Sequence, residues 1–485
     1  MSRTNRPPNI VLVLLDQLRA DVCGTYGSAI CRTPHLDRIA AQGIRFDRAY
    51  TPIGICSPAR ASMLSGTYPH RHGVLNNVHG PDALQVDLRP GTPVYPALLR
   101  DAGYATSYTG KWHVDIEDGP ASKGFTHVGA CDDYMPALAE QRRRLGLPHT
   151  DPIAFDRSTT YPPLSARATR TVPGFPLEGR ETQPVEGTPQ GLFLENALDA
   201  MEAMRRGDAP FLLVLSFLGP HWPYSVPEPW WSMYDPAAIP PWPNWEDDFT
   251  GKPGANRRGL QHFGVEGWTW QDWAPTVAAY LGSVTMHDEL IGRLVAALDA
   301  GGAAEDTLLI VTADHGDLCG SHRQFNKGPL MYEEVYRIPL VARWPGVIAP
   351  QSASDAYASS LDLFATMLDA AGVALPDAPL DSRSLLPLLR GETPQGWRDS
   401  WVSEFHGDEF GLYSQRMLVH GRHKLVYNPH DVDELYDLVA DPHELRNLSA
   451  EPSLAALRDD LESRLAQWMD ATGDPLGKYA YNLLG

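Results

Sequence analysis

The sequence has few cysteines and a shortage of positive charge. Its 485 residues include five cysteines, none of them in a CxxC pair, which argues against a disulfide scaffold and against a zinc site. Lysine and arginine total 40 against 60 aspartate and glutamate residues, giving a formal net charge of −20. This charge disfavours nucleic acid and anionic membranes as partners. An anionic substrate would therefore need a local basic site.

A long apolar run is also missing. Only six consecutive apolar residues, Ile10 to Leu15, follow the polar N-terminal segment before Asp16. Such a run is too short for the apolar region of a secretory signal or for a membrane span. We therefore expect a cytoplasmic protein with no membrane partner.

Four strand-like runs are each followed by a polar residue. The runs are Asn9–Leu15, Tyr104–Tyr108, Phe211–Phe217 and Thr307–Ala313. Helical patterns alternate with them, which predicts an α/β fold with a large, mostly parallel sheet sandwiched by helices. Ligands bind at the carboxyl ends of parallel strands, so the polar residues beyond these runs are candidate site residues. These residues are Asp16, Lys111, His221 and Asp314.

The pattern changes near residue 380. Four short strand-like segments follow a stretch rich in proline and aspartate at 375–381, and a helical pattern at 454–469 comes after them. We predict two domains, a catalytic α/β domain over residues 1–380 and a smaller C-terminal α+β domain over 381–485. The second domain should contain an antiparallel sheet and a terminal helix.

Two segments lack clear periodicity. Residues 115–188 are predicted to form surface loops around the site. Residues 222–273 contain eight of the 13 tryptophans, which predicts either a packed cover or a wall for a ligand.

The segment Cys56-Ser57-Pro58-Ala59-Arg60 predicts a reactive position at a helix N-terminus. Ser57 is expected to cap this helix, Pro58 to begin it and Gly66 to end it. Unpaired N–H groups and Arg60 would favour an anion beside Cys56. The ordinary alternative for a lone cysteine is a buried structural residue.

The pattern Cys-x-Pro-x-Arg, continued as far as Pro69, resembles the signature of the type I sulfatases of the alkaline phosphatase superfamily. The resemblance implies an alkaline-phosphatase-like fold. It also implies that a formylglycine-generating enzyme oxidises Cys56 to formylglycine. It covers nearly the whole chain and is weakest at 115–188 and 222–273, which we expect to set substrate choice.

The pairs Asp16-Gln17 and Asp314-His315 predict a metal site, because a cation relieves the repulsion between two buried carboxylates. Solvent-facing carboxylates are the alternative. By resemblance these four residues and oxidised Cys56 would hold one divalent ion. Gln17 and His315 stand where many arylsulfatases have Asp and Asn, so Ca²⁺ is expected and Mn²⁺ is an open alternative.

The resemblance also implies catalytic roles. Cys56 would be the nucleophile beside Arg60. Lys111 and Lys327 would hold the sulfate oxygens, and His221 would protonate the leaving alcohol. His113 would be the base that releases sulfate. Asn77 matches an asparagine that contacts substrate in some relatives.

The function that the resemblance implies is hydrolysis of sulfate monoesters, and we expect aryl or carbohydrate esters as substrates. The Asp-Gln and Asp-His pairs also resemble those of phosphonate monoester hydrolases, so hydrolysis of phosphonate monoesters or phosphodiesters is the alternative. A non-catalytic protein that binds a metal or an anion, with Cys56 as a thiol, is a remote alternative. Lys111 favours a clamp on three bare oxygens over a pocket with room for a carbon group.

Overall fold

Strands and helices alternate as the sequence predicts in the computed structural model, which describes residues 7–80, 83–148, 155–156, 177–408 and 413–480. The strands are β1 Asn9–Asp16, β2 Ile44–Phe46, β3 Ala49–Tyr50, β4 Ala105–Gly110, β5 His127–Val128, β6 Phe155–Asp156, β7 Glu178–Glu181, β8 Phe211–Pro220, β9 Tyr224–Val226, β10 Thr307–Ala313, β11 Leu340–Arg343, β12 Ser352–Ser354, β13 Ala358–Ser359, β14 Ser400–Phe405, β15 Gln415–His420, β16 His423–Tyr427 and β17 Glu434–Asp437. The helices are α1 Pro34–Ala41, α2 Cys56–Ser65, α3 Pro69–His72, α4 Tyr95–Asp101, α5 Gly119–Ser122, α6 Met135–Arg144, α7 Pro189–Arg205, α8 Gly254–Phe263, α9 Trp270–Ala300, α10 Glu333–Tyr336, α11 Leu363–Ala370, α12 Leu386–Leu389, α13 Ala455–Thr472 and α14 Gly477–Ala480. Every one of these helices is too short or too polar to cross a membrane.

A large sheet of eight strands forms the centre of the molecule, in the order β12-β2-β11-β10-β1-β8-β4-β5. Strand β11 pairs antiparallel with β10 and with β2, whereas the other neighbours in the sheet are parallel. The apolar residues of β1 are at most 3% exposed although alternate side chains point to opposite faces. Both faces of the sheet are therefore covered, and the predicted mostly parallel α/β sheet is confirmed.

The four central strands β10, β1, β8 and β4 are adjacent and parallel, so their carboxyl ends lie along one edge of the sheet. Asp16 is the last residue of β1, and Asp314 and Lys111 directly follow β10 and β4. His221 directly follows β8. The strand ends thus bring together residues that lie up to 298 positions apart in the chain, as expected from the topology.

Helix α2 begins two residues earlier than predicted. Cys56 is its first residue and Ile55 is the N-cap, so the prediction that Ser57 caps the helix is wrong. Ser57 lies in the first turn, where its hydroxyl instead accepts the N–H of Val78 at 3.2 Å. Gly66 ends the helix at φ 68° as predicted, and a Cβ there would lie 2.8 Å from the ring of Phe364.

The C-terminal strands form an antiparallel sheet in the order β14-β15-β16-β17. Helix α13 packs against it in an apolar cluster that includes Leu418, Leu425, Leu461 and Leu465. The predicted smaller α+β unit with an antiparallel sheet and a helix is confirmed, while the boundary at residue 380 stays a prediction. The N–H of Glu404 in β14 donates to the carbonyl of Pro52 at 2.7 Å, which connects this sheet to the segment before Cys56.

The two segments without periodicity contain regular structure. Helix α6 and strand β7 lie within residues 115–188, which were predicted to be loops, while 149–154 and 157–176 lie outside the described residues. Helix α8 lies within 222–273. There Trp273 is fully buried, and the indole of Trp242 donates to the carbonyl of Cys319 at 2.8 Å, which favours the packed cover.

Candidate active site

Cys56 lies at the centre of the strand ends and is almost completely buried. Its sulfur is 3.2 Å from Nε2 of His315 and 3.8 Å from Oδ1 of Asp16. Burial raises the pKa of the Cys56 thiol, but the nearby charges, first those of Lys111 and Lys327, lower it by more. The pKa therefore lies well below its usual value. The position therefore stabilises negative charge on the side chain of residue 56.

Asp16, Cys56, Asp314 and His315 form what we call the strand-end cluster. One ligand atom from each of these buried residues lies within 4.8 Å of those from the other three. His315 donates from Nδ1 to the carbonyl of Gly316 at 2.8 Å, so its Nε2 is the nitrogen that faces Cys56. Burial lowers the pKa of His315, but Asp314 and Cys56 raise it above its usual value. The cluster thus favours a cation at this nitrogen.

Arg60 holds the two carboxylates side by side from one turn inside α2. Its Nε donates to Asp314 Oδ2 at 2.8 Å, and its Nη2 donates to Asp16 Oδ2 at 3.0 Å. Its Nη1 donates to the carbonyl of Lys111 and to Ser216 Oγ, both at 2.8 Å. The structure therefore places Arg60 behind the carboxylates, where it orients them.

The two carboxylates have opposite pKa shifts. Burial and the proximity of Asp16 raise the pKa of Asp314 above its usual value. Burial and Cys56 also raise the pKa of Asp16, but Lys111, His221 and Arg60 lower it below its usual value. A divalent cation would favour the ionised form of both groups.

Gln17 borders the strand-end cluster in a left-handed backbone conformation with φ 68°. Its N–H donates to Asp314 Oδ1 at 3.1 Å. Its side-chain Nε2 donates to Asn326 Oδ1, and its Oε1 accepts from Lys327 Nζ, both at 3.0 Å. The structure brings Gln17 to the site, and its role as a metal ligand stays a prediction.

Two lysines, Lys111 and Lys327, lie close enough to Cys56 to act on its charge. Lys111 Nζ forms an ion pair with Asp16. Lys327 Nζ lies 3.4 Å from Nε2 of His221 and donates to Asn326 Oδ1 at 3.2 Å. Both lysines are buried, so their charges act in a poorly solvated environment. This is the local basic site that an acidic protein needs to bind an anion.

His113 and Asn77 both contact the first turn of α2. His113 Nδ1 is 3.3 Å from Ser57 Oγ, and Asn77 Oδ1 accepts the N–H of Ser57 at 3.2 Å. Burial and Lys111 lower the pKa of His113 to about 4. A neutral imidazole can accept a proton at neutral pH. Asn77 thus lies beside the first turn of α2, and its contact with substrate stays a prediction.

Residues 8–373 match the family model described as Sulfatase, and residues 320–471 match the one described as N-sulphoglucosamine sulphohydrolase, C-terminal. The chain belongs to the sulfatase family. The first match includes the whole strand-end cluster, and the second includes the antiparallel C-terminal sheet.

Relatives of this sulfatase-family chain match most of its length. An arylsulfatase of Clostridium perfringens is 29% identical over 475 residues, covering 91% of this chain and 90% of the relative. Human arylsulfatase A is 29% identical over 486 residues, covering 91% of this chain and 83% of the relative. The crystal structure of the phosphonate monoester hydrolase of Agrobacterium radiobacter superposes with a TM-score of 0.80 at 27% identity, covering 96% of each chain. The alkaline-phosphatase-like fold is confirmed.

Two residues near His113 were missed by the sequence interpretation. Asp132 accepts backbone N–H groups from Trp112 and His113, and the ring of His79 stacks on that of His113 with centroids 4.8 Å apart. Asp132 lies in the segment 115–188, where no local pattern signals a site. Only the folded arrangement identifies these residues.

A second buried cluster, the C-terminal cluster, consists of His70, Glu404 and Asp474. His70 Nδ1 contacts Glu404, and its Nε2 donates to the carbonyl of Thr472 at 3.2 Å. Arg416 pairs with Asp474, with Nη2 at 2.8 Å from Oδ1. These contacts connect α3, which follows α2, to the C-terminal sheet.

Proposed function

We propose that this member of the sulfatase family hydrolyses sulfate monoesters, with oxidised Cys56 as the nucleophile and one divalent cation in the strand-end cluster. The supporting observation is the convergence of Cys56, two carboxylates and His315 within 4.8 Å beside two buried lysines. A formylglycine-generating enzyme would be needed for maturation. The alcohol part of the ester would come from an aryl compound or a saccharide.

The donor atoms of the strand-end cluster fit a divalent cation. Carboxylate oxygens suit both Ca²⁺ and Mn²⁺, and the resemblance implies Ca²⁺. The nitrogen of His315 and the neutral amide of Gln17 move the balance toward Mn²⁺. When bound, such an ion would lower the pKa of a hydroxyl on residue 56 and offset charge on the sulfate oxygens.

The side chains at and around residue 56 would each have a separate role in the reaction. An oxidised Cys56 would supply a hydrated aldehyde, whose one hydroxyl attacks sulfur and whose other hydroxyl allows sulfate to leave as the aldehyde reforms. Lys111 and Lys327 would hold the sulfate oxygens, and His221 would give a proton to the leaving alcohol. His113, with its lowered pKa, would accept the proton of the second hydroxyl.

Hydrolysis of phosphonate monoesters or phosphodiesters is the second candidate. It is favoured by the Asp-Gln and Asp-His pairs and by the likeness to the Agrobacterium radiobacter hydrolase. Sulfate monoesters, phosphodiesters and phosphonate monoesters all present one negative charge on a tetrahedral centre. The three ester classes differ in the fourth substituent on this centre. A carbon group there needs space that Lys111 would occupy if it holds a sulfate oxygen.

The state of Cys56 provides the first test. The protein is produced together with a formylglycine-generating enzyme, and the peptide that contains Cys56 is analysed by mass spectrometry. We expect the aldehyde and turnover of an aryl sulfate. Cysteine alone, without turnover, would favour a non-catalytic protein that binds a metal or an anion.

A comparison of esters provides the second test. Nitrophenyl sulfate, phenylphosphonate and phosphate esters are compared by kcat/KM. We expect the sulfate ester to be best, with measurable activity on the phosphonate and poor activity on the dianionic phosphate. A phosphonate preference above about tenfold, or about 1.4 kcal/mol in transition-state stabilisation, would make the second candidate the function.

A further inference from the structure

Asp132 binds the backbone of the loop that carries His113. Its Oδ1 accepts the N–H of Trp112 at 2.8 Å, and its Oδ2 accepts the N–H of His113 at 2.9 Å. Both oxygens of one carboxylate thus hold two consecutive peptide groups. Charge-assisted bonds of this kind are stronger than those between neutral groups, so the two peptides have little freedom to rotate.

His113, one of the two residues that Asp132 holds, has an unusual backbone conformation. His113 has φ 56°, in the left-handed region that residues with a Cβ rarely adopt. A residue in this region keeps its conformation only where its surroundings determine it, and such residues cluster at functional sites. This conformation places the imidazole against the first turn of α2, 3.3 Å from Ser57 Oγ.

Asp132 is itself held by the main sheet. Strand β5 extends the sheet beside β4, and beyond it the carbonyl of Ala130 accepts the N–H of Gly110 at 2.8 Å. The N–H of Ala130 donates to Asn196 Oδ1 at the same distance. Asp132 therefore connects the backbone of His113 to a segment that is hydrogen-bonded to the end of β4.

His79 completes the arrangement on the solvent side. Its ring stacks on His113 at an interplanar angle of 19°, and its Nε2 is 3.8 Å from Asp132 Oδ2. The side chain of His79 is 44% exposed, so one face of the His113 ring lies against a partly exposed histidine. Asp132 thus restricts the backbone of His113, and His79 restricts one face of its ring.

We propose that Asp132 is a positioning residue that fixes His113 for the release of sulfate from residue 56. This inference rests on the proposed role of His113 as the base of that step. Without the two hydrogen bonds to Asp132, the His113 backbone could leave the left-handed region. Its ring would then move away from the hydroxyl whose proton it accepts. Substrate binding by Lys111 and Lys327 and the attack on sulfur would be unaffected, so slower release lowers kcat and KM together and leaves kcat/KM nearly unchanged.

The test compares Asp132→Ala with Asp133→Asn, which removes the same charge from the exposed neighbouring residue. With the best ester, we expect Asp132→Ala to lower kcat by about 10- to 100-fold, in the range found for outer partners of site residues, with a parallel fall in KM. Asp133→Asn should match the unchanged protein. Equal kcat values for the two variants would overturn the proposal.

A double mutant separates positioning from a general structural effect. If Asp132 acts through His113, Asp132→Ala should cost almost nothing further in a His113→Ala background. A loss as large as in the unchanged background would contradict this. During turnover, mass spectrometry should also show more sulfate attached to residue 56 in Asp132→Ala than in the unchanged protein.

The proposed function can fail separately from the clamp. Absence of turnover with all esters, or a His113→Ala variant of full activity, would refute the role of His113 as base. A crystal structure of Asp132→Ala then tests whether Asp132 holds the backbone of His113. We expect His113 to leave the left-handed region in that variant, and an unchanged φ would overturn the clamp.

Discussion

The strand-end cluster and the C-terminal cluster contain similar residue types and are equally buried, but their charges are balanced in different ways. In the C-terminal cluster, both nitrogens of His70 face acceptors, Glu404 and the carbonyl of Thr472. The ring is therefore a double donor, and no lone pair is available for a metal. In the strand-end cluster only Nδ1 of His315 faces a carbonyl, and Nε2 faces Cys56.

The two clusters also differ in how an arginine pairs with their carboxylates. Arg416 pairs with both oxygens of Asp474, so this carboxylate is neutralised within the C-terminal cluster. Arg60 instead divides its donors between Asp16 and Asp314 and contacts only Oδ2 of each. Arg60 thus leaves Oδ1 of each carboxylate without a guanidinium contact, and Asp16 Oδ1 lies 3.8 Å from the Cys56 sulfur. Proximity of His and carboxylate groups is therefore weaker evidence for a metal than the direction of their lone pairs.

The largest expected effect is the loss of turnover on breaking the strand-end cluster. Asp314→Asn keeps the size of the side chain but removes its charge, so we expect bound metal to be lost and kcat/KM to fall by at least about 1,000-fold. Cys56→Ala should also lose turnover but retain part of the metal. Metal analysis of the purified proteins makes the comparison, and full occupancy in Asp314→Asn would refute the ligand assignment.

The matched change in the C-terminal cluster should affect stability instead. Glu404→Gln leaves the His70 imidazolium and Arg416 buried with less compensating charge, so we expect the free energy of unfolding to fall by about 3–5 kcal/mol. Metal content per folded molecule should not change. Urea unfolding and metal analysis test this, and a variant that loses metal at full stability would reverse the roles of the two clusters.

A smaller effect is expected on the choice of metal. His315→Asn replaces a nitrogen ligand by an amide oxygen, so we expect the affinity for Mn²⁺ relative to Ca²⁺ to fall by about tenfold. Competition titrations of the metal-free protein measure this ratio. His70→Asn serves as the control and should leave it unchanged, whereas an equal shift in both variants would show that His315 is not a ligand.

The smallest effect is the pH dependence of stability from the C-terminal cluster. Burial lowers the pKa of His70, but Glu404 raises it above its usual value, so its stabilisation is present at low pH and is lost as pH rises through the raised pKa. Burial raises the pKa of Glu404, but His70 and Arg416 lower it well below its usual value. Its stabilisation is present above about pH 4.3 and is lost as pH falls through the lowered pKa.

Glu404→Gln removes both contributions. Urea unfolding between about pH 5 and pH 9 should show that the unchanged protein loses stability toward high pH relative to this variant. A difference between the two proteins that stays constant over this range would contradict a protonated His70.

The sequence predicts the features that depend on local patterns. Buried runs such as Asn9–Leu15 show where strands end, and parallel pairing then brings Asp16 and Asp314 to one edge of the sheet. The helix at Cys56 was predicted, but its cap was wrong because Ser57 contacts Val78 and His113 instead. Those partners lie outside the segment from which a cap is judged.

The C-terminal cluster and Asp132 could not be predicted from the sequence. His70 and Glu404 are separated by 334 positions, and their pairing depends on how β14 packs beside the segment before Cys56. Asp132 is recognisable only from the two N–H groups that it accepts and from the left-handed φ of His113. Contacts of this kind follow from tertiary packing, which leaves no periodic signal in the chain.

Anomalous diffraction from crystals of the Mn²⁺-loaded protein tests the central claim most directly. We expect one strong peak among Asp16, Cys56, Asp314 and His315, and none among His70, Glu404 and Asp474. A peak in the C-terminal cluster, or the absence of one in the strand-end cluster, would contradict the account.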